Sequence, residues 1–319
     1  MTLALQPPLE PALALARKQL PLGEEFLYEI KLDGFRCIAF VDGDAVHLQS
    51  RNGRPLERYF PELMLPPGRY VLDGEIVVRD GSGHEDFDAL GQRIHPAQSR
   101  IERLAAETPA RYVAFDLLAR DDTALLESPF VQRRAALEAL LGGDEFVGTS
   151  VELMQSTRDP QRAAAWLQDA EGAIAKLADA TYVPGKRAGM FKIKRVRTID
   201  AVVVGWRPGK EQGTVGALIL GLYDDGVMRV VGHCSGLSAS EKRRLVGALA
   251  EYETGERGSS DASRWSSGRD LGWVALRPEL VVEIDFDHVS AGRIRHGAKL
   301  RRWREDKPAV QCTIGQLYS

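Results

Sequence analysis

The sequence predicts an α+β protein in two parts: a region of antiparallel strands and helices, then a small, mostly β module. Three observations predict it. The chain has 319 residues, beyond the length at which a single core is usual. Strand-like and helix-like segments intermix up to about residue 195. Beyond that point short apolar runs follow one another with turn residues between them.

Taken in order, residues 26–50 read as strands. In "FRCIAFVDGDAVHLQS", Asp42-Gly43 lies between two apolar runs, which is a hairpin signal. "RYVLDGEIVV" and "RYVAFDLL" are two further β-rich runs. Between them, "FDALGQRIHPAQSRIERLAAE" has helical patterning interrupted near Pro96. "SPFVQRRAALEALLGG" reads as a helix capped by Ser128, with Pro129 in its first turn and Gly142-Gly143 ending it. "DPQRAAAWLQDAEG" reads as another.

In the second part, "IDAVVVGWRP", "GALILGLYDDG", "VMRVVGHCSG" and "LVVEIDFDHV" are short strands. In the last, Val282, Ile284 and Phe286 alternate with Glu283, Asp285 and Asp287, as in a half-buried strand. One helix, "SASEKRRLVGALAEYE", interrupts the series. A compact β module with a single helix is the pattern of an OB-type barrel. The boundary is placed near Val196 to Thr198, giving domains of 1–197 and 198–319.

Composition narrows the classes. A net charge of −3 gives no global argument for nucleic acid, so any such case must come from local patches. Two exist. Lys186 to Arg197 carries six basic residues and no acidic one, and Arg293 to Lys307 carries seven basic and two acidic. The cysteines, Cys37, Cys234 and Cys312, are scattered, which fits a reducing cytoplasm and argues against a zinc module. Prolines and Glu10 break the N-terminal apolar run, so neither a signal peptide nor a membrane span is expected.

Five stretches carry more polar chemistry than a β context needs: "KLDGFR" at 31–36, "DGEIVV" at 73–78, "AFDLL" at 114–118, "EGAIAK" at 171–176 and "FKIKRVR" at 191–197. A charge placed in a β run is costly unless it is paired or bound to a ligand. In "FKIK", Lys192 and Lys194 share one strand face, where like charges repel unless a polyphosphate joins them. Glu75 and Glu171 suit a divalent metal, and Phe115 offers a flat face for a base. Neither GxxxxGK[ST] nor GxGxxG occurs, so side chains must hold the phosphates. Taken singly, each of these is more often a charged turn, an exposed strand residue or core. Their joint occurrence in this order is the signal.

That order resembles the covalent nucleotidyltransferase superfamily of ATP-dependent DNA ligases, RNA ligases and capping enzymes. "KLDGFR" resembles the opening motif, "SRNGR" at 50–54 the arginine-bearing one, and "DGEIVV", "FDLL", "EGAIAK" and "FKIK" those that follow. "RRWREDK" at 301–307 resembles the basic motif that ends the OB domain. Within the superfamily the chain looks like the compact bacterial ligase C type, a relative of the ligase module of ligase D.

The resemblance implies a nucleotidyltransferase domain followed by an OB-fold domain. It makes Lys31 the nucleophile that attacks ATP and carries AMP. An amine attacks only when neutral, and nearby cations such as Lys192 and Lys194 favour that form. It assigns magnesium or manganese to Glu75 and Glu171, adenine stacking to Phe115, and reading of the adenine edge to the backbone at Glu29 and Ile30. Arg36 and Arg51 would hold the ribose and α-phosphate. Arg304, Asp306 and Lys307 would close over the pyrophosphate, with residues 196–198 as a hinge. The implied substrate is a nick in duplex DNA, the implied setting bacterial repair or end joining in the cytoplasm, alongside DNA-repair proteins, with the chain as a monomer. Two alternatives are an RNA ligase or capping-type enzyme and an inactive DNA-binding module.

Overall fold

The computed structural model describes residues 3–258, 272–290, 292–295 and 297–318. The chain divides into two compact units, one ending at Arg195 and the other beginning at Val196. The division falls two residues before the expected one. Its physical reason is that Arg197 already pairs with Phe286 in a strand ladder of the second unit.

Among the described residues, the first unit contains two sheets. One has five strands in the order Leu15–Arg17, Met190–Lys194, Gly172–Leu177, Phe26–Ile30, Ser156–Thr157. The other runs Ala45–Ser50, Phe35–Gly43, Gly68–Val77, Arg111–Arg120, Thr123–Ala124, with Val151–Leu153 beside Arg111–Arg120. The ladders are antiparallel except that Leu15–Arg17 runs parallel to Met190–Lys194 and Val151–Leu153 parallel to Arg111–Arg120.

Strand alternation gives the five-stranded sheet two different faces. Phe26, Tyr28, Ala173, Ala175 and Ile193 form one face and pack against Ala163 and Trp166 of the helix Pro160–Asp169. The small alanines let that helix approach closely. Glu29, Ile174 and Lys192 align across three neighbouring strands on the opposite face. A one-residue slip would swap the two sets, so burial of the apolar face fixes where the charges point.

The helix Phe130–Leu141 differs from expectation at its start. Pro129 occupies the N-cap and no side chain caps it, so Ser128 does not play that role. Ser128 instead offers its carbonyl to the Arg133 guanidinium. Helix Pro160–Asp169 has the expected form, with Asp159 accepting from the Gln161 N–H.

In the second unit, Arg197–Pro208 pairs with both Val215–Asp224 and Val281–Phe286. Val227–Gly236 and Ala298–Trp303 complete the ring. Five strands thus close on themselves, which is the OB arrangement. Val282, Ile284 and Phe286 are buried inside with Val202, Leu218, Leu220 and Val231. The helix Ala239–Ala250 starts with a capping box between Ser238 and Glu241 and buries Leu245 and Leu249.

Candidate active site

The two sheets of the first unit enclose a cavity of about 230 Å³. Glu29, Ile30, Lys31, Ile174, Lys176 and Lys192 line it from one sheet, and Arg36, Glu75 and Phe115 from the other. Arg51, Arg187 and the segment Pro11 to Ala14 also line it, with Leu32, Met154 and Met190 as apolar neighbours.

Lys31 follows the last residue of the Phe26–Ile30 strand, and its backbone N–H donates to the Gly172 carbonyl at 3.0 Å. Its ammonium lies 3.4 Å from Glu171 Oε1 and 3.4 Å from the Leu32 carbonyl. Two glycines set this geometry. A Cβ on Gly34 would lie 2.3 Å from the Ile76 carbonyl, so "KLDG" turns tightly against the strand that bears Glu75. A Cβ on Gly172 would lie 2.1 Å from the Ile193 carbonyl, and its φ is +149°. Gly172 faces Lys194 across the ladder, so this close approach brings the "FKIK" strand up to Lys31.

Phe115 owes its position to a break in register. Asp73 pairs with Asp116 and Gly74 with Ala114, which leaves Phe115 as the extra residue of a bulge. The ring is 7% exposed, with the Arg36 guanidinium 4.4 Å from its centroid and the Lys176 ammonium 4.7 Å from it.

The charges fall into three groups. Lys192 sits with Lys194, Lys31, Arg51 and Arg187, and burial together with these cations pulls its pKa down. Lys194 shares the strand face but does not line the cavity. Glu75 is the counterpart: loss of water pushes it up to about 7, opposed by Arg36 and Lys31. Glu29 is buried, and its carboxylate meets Lys176 at 2.7 Å and Arg134 at 3.6 Å. Burial raises its pKa while those two cations lower it.

Arg36 lines the cavity and is also paired within the protein. Its Nε and Nη2 each donate to Asp73 at 2.6 Å, and Asp73 is fully buried. Burial works against the Arg36 charge, but Asp73 outweighs it and holds the guanidinium's pKa above its ordinary value. Its Nε and Nη2 thus engage a carboxylate while the residue faces the cavity. Arg51 remains exposed at the cavity.

Lys176, Asp73, Tyr182 and Arg187 are cavity or network residues that the motif reading passed over. Lys176 and Asp73 lie inside two of the motifs, as the last residue of "EGAIAK" and the first of "DGEIVV". A buried cation in a β run was the available signal for Lys176.

In the second unit, Arg304 and Lys307 converge on Asp200. Arg304 Nη1 reaches its two oxygens at 2.9 and 3.0 Å, and Lys307 Nζ reaches one at 2.7 Å. Arg304 also donates twice to Asp306, whose carboxyl is pushed down to about 2 by that hydrogen bond. These cations are paired within their own unit, which the charge count alone did not show.

Paired sheets around a lysine-bearing cavity, followed by a closed five-stranded barrel, define the nucleotidyltransferase fold with an appended OB domain. The ligase domain of M. tuberculosis LigD shares it, with a TM-score of 0.53, 32% identity and coverage of 96% of this chain and 98% of that one. A mycobacterial DNA ligase D complexed with ATP and MES aligns with a TM-score of 0.52 at 30% identity, covering 96% and 98%. DNA ligase C of Mycobacterium tuberculosis is 42% identical over 99% of this chain and 96% of that protein. DNA ligase C2 of Mycolicibacterium smegmatis is 43% identical, covering 100% and 97%. Residues 13–194 match the ATP dependent DNA ligase domain and residues 211–307 the ATP dependent DNA ligase C terminal region. The chain belongs to the ATP-dependent DNA ligase family.

Proposed function

We propose that this chain seals nicks between a 3′-hydroxyl and a 5′-phosphate in duplex DNA through a lysyl-AMP on Lys31. The observation that carries the reading is the placement of the Lys31 amine in a cavity that also holds Lys192, Arg51, Glu75 and Phe115. In the first step the neutral amine attacks the α-phosphate of ATP, an N–P bond forms and pyrophosphate leaves. The proton given up by Lys31 passes to solvent, and Glu171 at 3.4 Å holds the amine in line. In the second step the 5′-phosphate of the nick displaces Lys31 from AMP. In the third the 3′-hydroxyl attacks that phosphate and AMP departs. Neither later step needs a second nucleophilic side chain, only positioning and charge stabilisation.

Lys192, Arg51 and Arg187 are the cations for the phosphates, and Glu29, Ile30 and Phe115 the surroundings of the base. Arg36 serves the ribose side of the cavity through the Asp73 pair. Arg304 and Lys307 act in the first step, exchanging carboxylate partners for pyrophosphate.

Glu75 and Glu171 are the residues that would hold a divalent cation. Glu75 fits: a half-buried carboxyl pushed up to about 7 by desolvation gains from an added positive charge. Among the described residues no group of three or more His, Cys, Asp or Glu converges, so water and phosphate oxygens would complete the shell. When bound, magnesium or manganese neutralises phosphate oxygens. Among the described residues no helix is long and apolar enough to cross a membrane. The reading has the chain meet its DNA in the cytoplasm, as a monomer.

The test is intact-mass analysis after incubation with ATP. The chain should gain one covalent AMP, and Lys31→Ala should gain none and seal no nick from ATP. Lys31→Ala should still join a nick supplied with a preformed 5′-adenylate. Sealing from ATP by the variant would overturn the assignment.

A further inference from the structure

Resting on the adenylation reading above, we propose that Tyr182 is a positioning residue that locks the segment Pro11 to Ala14 as a wall of the ATP cavity and holds Arg36 against it. This segment lies outside every stretch singled out in the sequence, yet its residues line the cavity.

The geometry is a closed ring of hydrogen bonds. The Tyr182 hydroxyl donates to Asp73 Oδ2 at 2.6 Å and accepts from the Ala12 N–H at 2.9 Å. Asp73 accepts both donors of the Arg36 fork, and Arg36 Nη2 also reaches the Ala12 carbonyl at 3.4 Å. Ala12 is therefore held at its N–H by Tyr182 and at its C=O by Arg36. Its neighbours are held by the stretch that follows Tyr182: Gly185 N–H donates to the Pro11 carbonyl at 3.3 Å and Leu13 N–H to the Lys186 carbonyl at 2.8 Å.

Three members of the ring are buried enough for these bonds to matter. Tyr182 is 4% exposed, Ala12 5% and Asp73 0%. A buried carboxylate needs its partners, and removing one leaves the others misplaced. Apolar contacts of Leu3 and Ala12 with Ile38, Phe40 and Val71 attach the segment to the sheet, and the parallel ladder of Leu15–Arg17 with Met190–Lys194 anchors the chain just beyond it. Hydrogen bonds to both backbone groups of Ala12 hold that residue itself in place at the cavity. The same ring orients the guanidinium that stands over the Phe115 ring. Tyr182 does not itself line the cavity, so it acts through Ala12 and Arg36.

Tyr182→Phe removes the hydroxyl and keeps the ring. The expected result is a KM for ATP raised roughly five- to tenfold in Lys31 adenylation, with kcat within about twofold. That corresponds to about 1–1.4 kcal/mol of lost binding. Hydrogen exchange at the Ala12 amide should quicken while amides of the Gly68–Val77 strand keep their protection. A second variant, Ala12→Pro, deletes the donated N–H from the other side of the bond and should raise KM in the same sense. Wild-type protein that takes up no AMP would instead defeat the adenylation reading itself. With wild type active, an unchanged ATP KM in Tyr182→Phe alongside faster Ala12 exchange would overturn the positioning role. A fall in kcat with KM unchanged would overturn it as well.

Discussion

Glu75 is the residue at which charge, burial and chemistry are most closely linked. Desolvation pushes its carboxyl from 4.5 up to about 7, while Arg36 and Lys31 oppose that rise. The folded chain therefore keeps a proton that the unfolded chain releases in this window. Stability contributed by the site is present below about 4.5 and falls as pH rises to about 7, with the full cost of the buried anion remaining above it. Glu75→Gln has no charge to lose. The unfolding temperature of the variant minus that of the wild type should thus grow between pH 5 and pH 8. Saturating magnesium should shrink the difference at pH 8, because a bound cation stabilises the ionised carboxylate. Thermal unfolding at both pH values, with and without magnesium, checks this. A difference that is flat with pH would remove Glu75 as the titrating group.

At the scale of elements, the sequence showed most of the strands and the Asp42-Gly43 hairpin, because period-two patterning and turn residues are local properties. Lys192 and Lys194 could be put on one face from "FKIK" alone. Three things could not be read. The bulge that frees Phe115 depends on register between two strands distant in sequence. The commitment of Arg36 to Asp73, and of Arg304 to Asp200, depends on which carboxylate lies across a ladder. The N-terminal wall is held through its own backbone groups by partners distant in sequence, the Tyr182 hydroxyl and Arg36 among them, so the segment's own residue types do not mark it. Gly172 ties local sequence to the site, and it carries a prediction. Its φ is +149°, and the Ile193 carbonyl lies 2.1 Å from where an alanine methyl would sit. Gly172→Ala must therefore push the "FKIK" strand away from Lys31. The expected cost is about 1–3 kcal/mol of stability. Adenylation should fall by more than tenfold, because Lys192 moves with its strand. Gly247→Ala, on the second unit's helix with open space around it, is the control expected to leave adenylation unchanged and to raise stability by about 0.5–1 kcal/mol through helix propensity. A Gly172→Ala chain with normal adenylation at a temperature where it is folded would show that the spacing of the two strands is not critical.

For the whole molecule, the question is how work is divided between two units with separate cores. Core clusters of the first unit draw on residues before Arg195, and the barrel core runs from Ile199 to Leu317. The first unit also contains its own cavity, with Lys31, Glu75, Phe115 and Lys192 lining it and Glu171 paired to Lys31. A chain ended at Arg195 should therefore fold and unfold cooperatively, since none of its buried clusters loses a member. It should nevertheless adenylate Lys31 far more slowly than the full chain. The reason is electrostatic. Pyrophosphate departs carrying added negative charge, and Arg304 and Lys307 are the cations proposed to meet it. In the full chain these two are held side by side on Asp200, at 2.9 and 2.7 Å, the carboxylate they would exchange for pyrophosphate. Circular dichroism with thermal unfolding reports the fold, and intact mass after incubation with ATP reports the adenylate. A truncated chain that fails to unfold cooperatively would mean that the first core is incomplete without the barrel. A folded truncated chain that acquires AMP at the full-length rate would mean that Lys31 and its neighbours carry the first step alone, and that the Arg304 and Lys307 pair belongs to DNA binding.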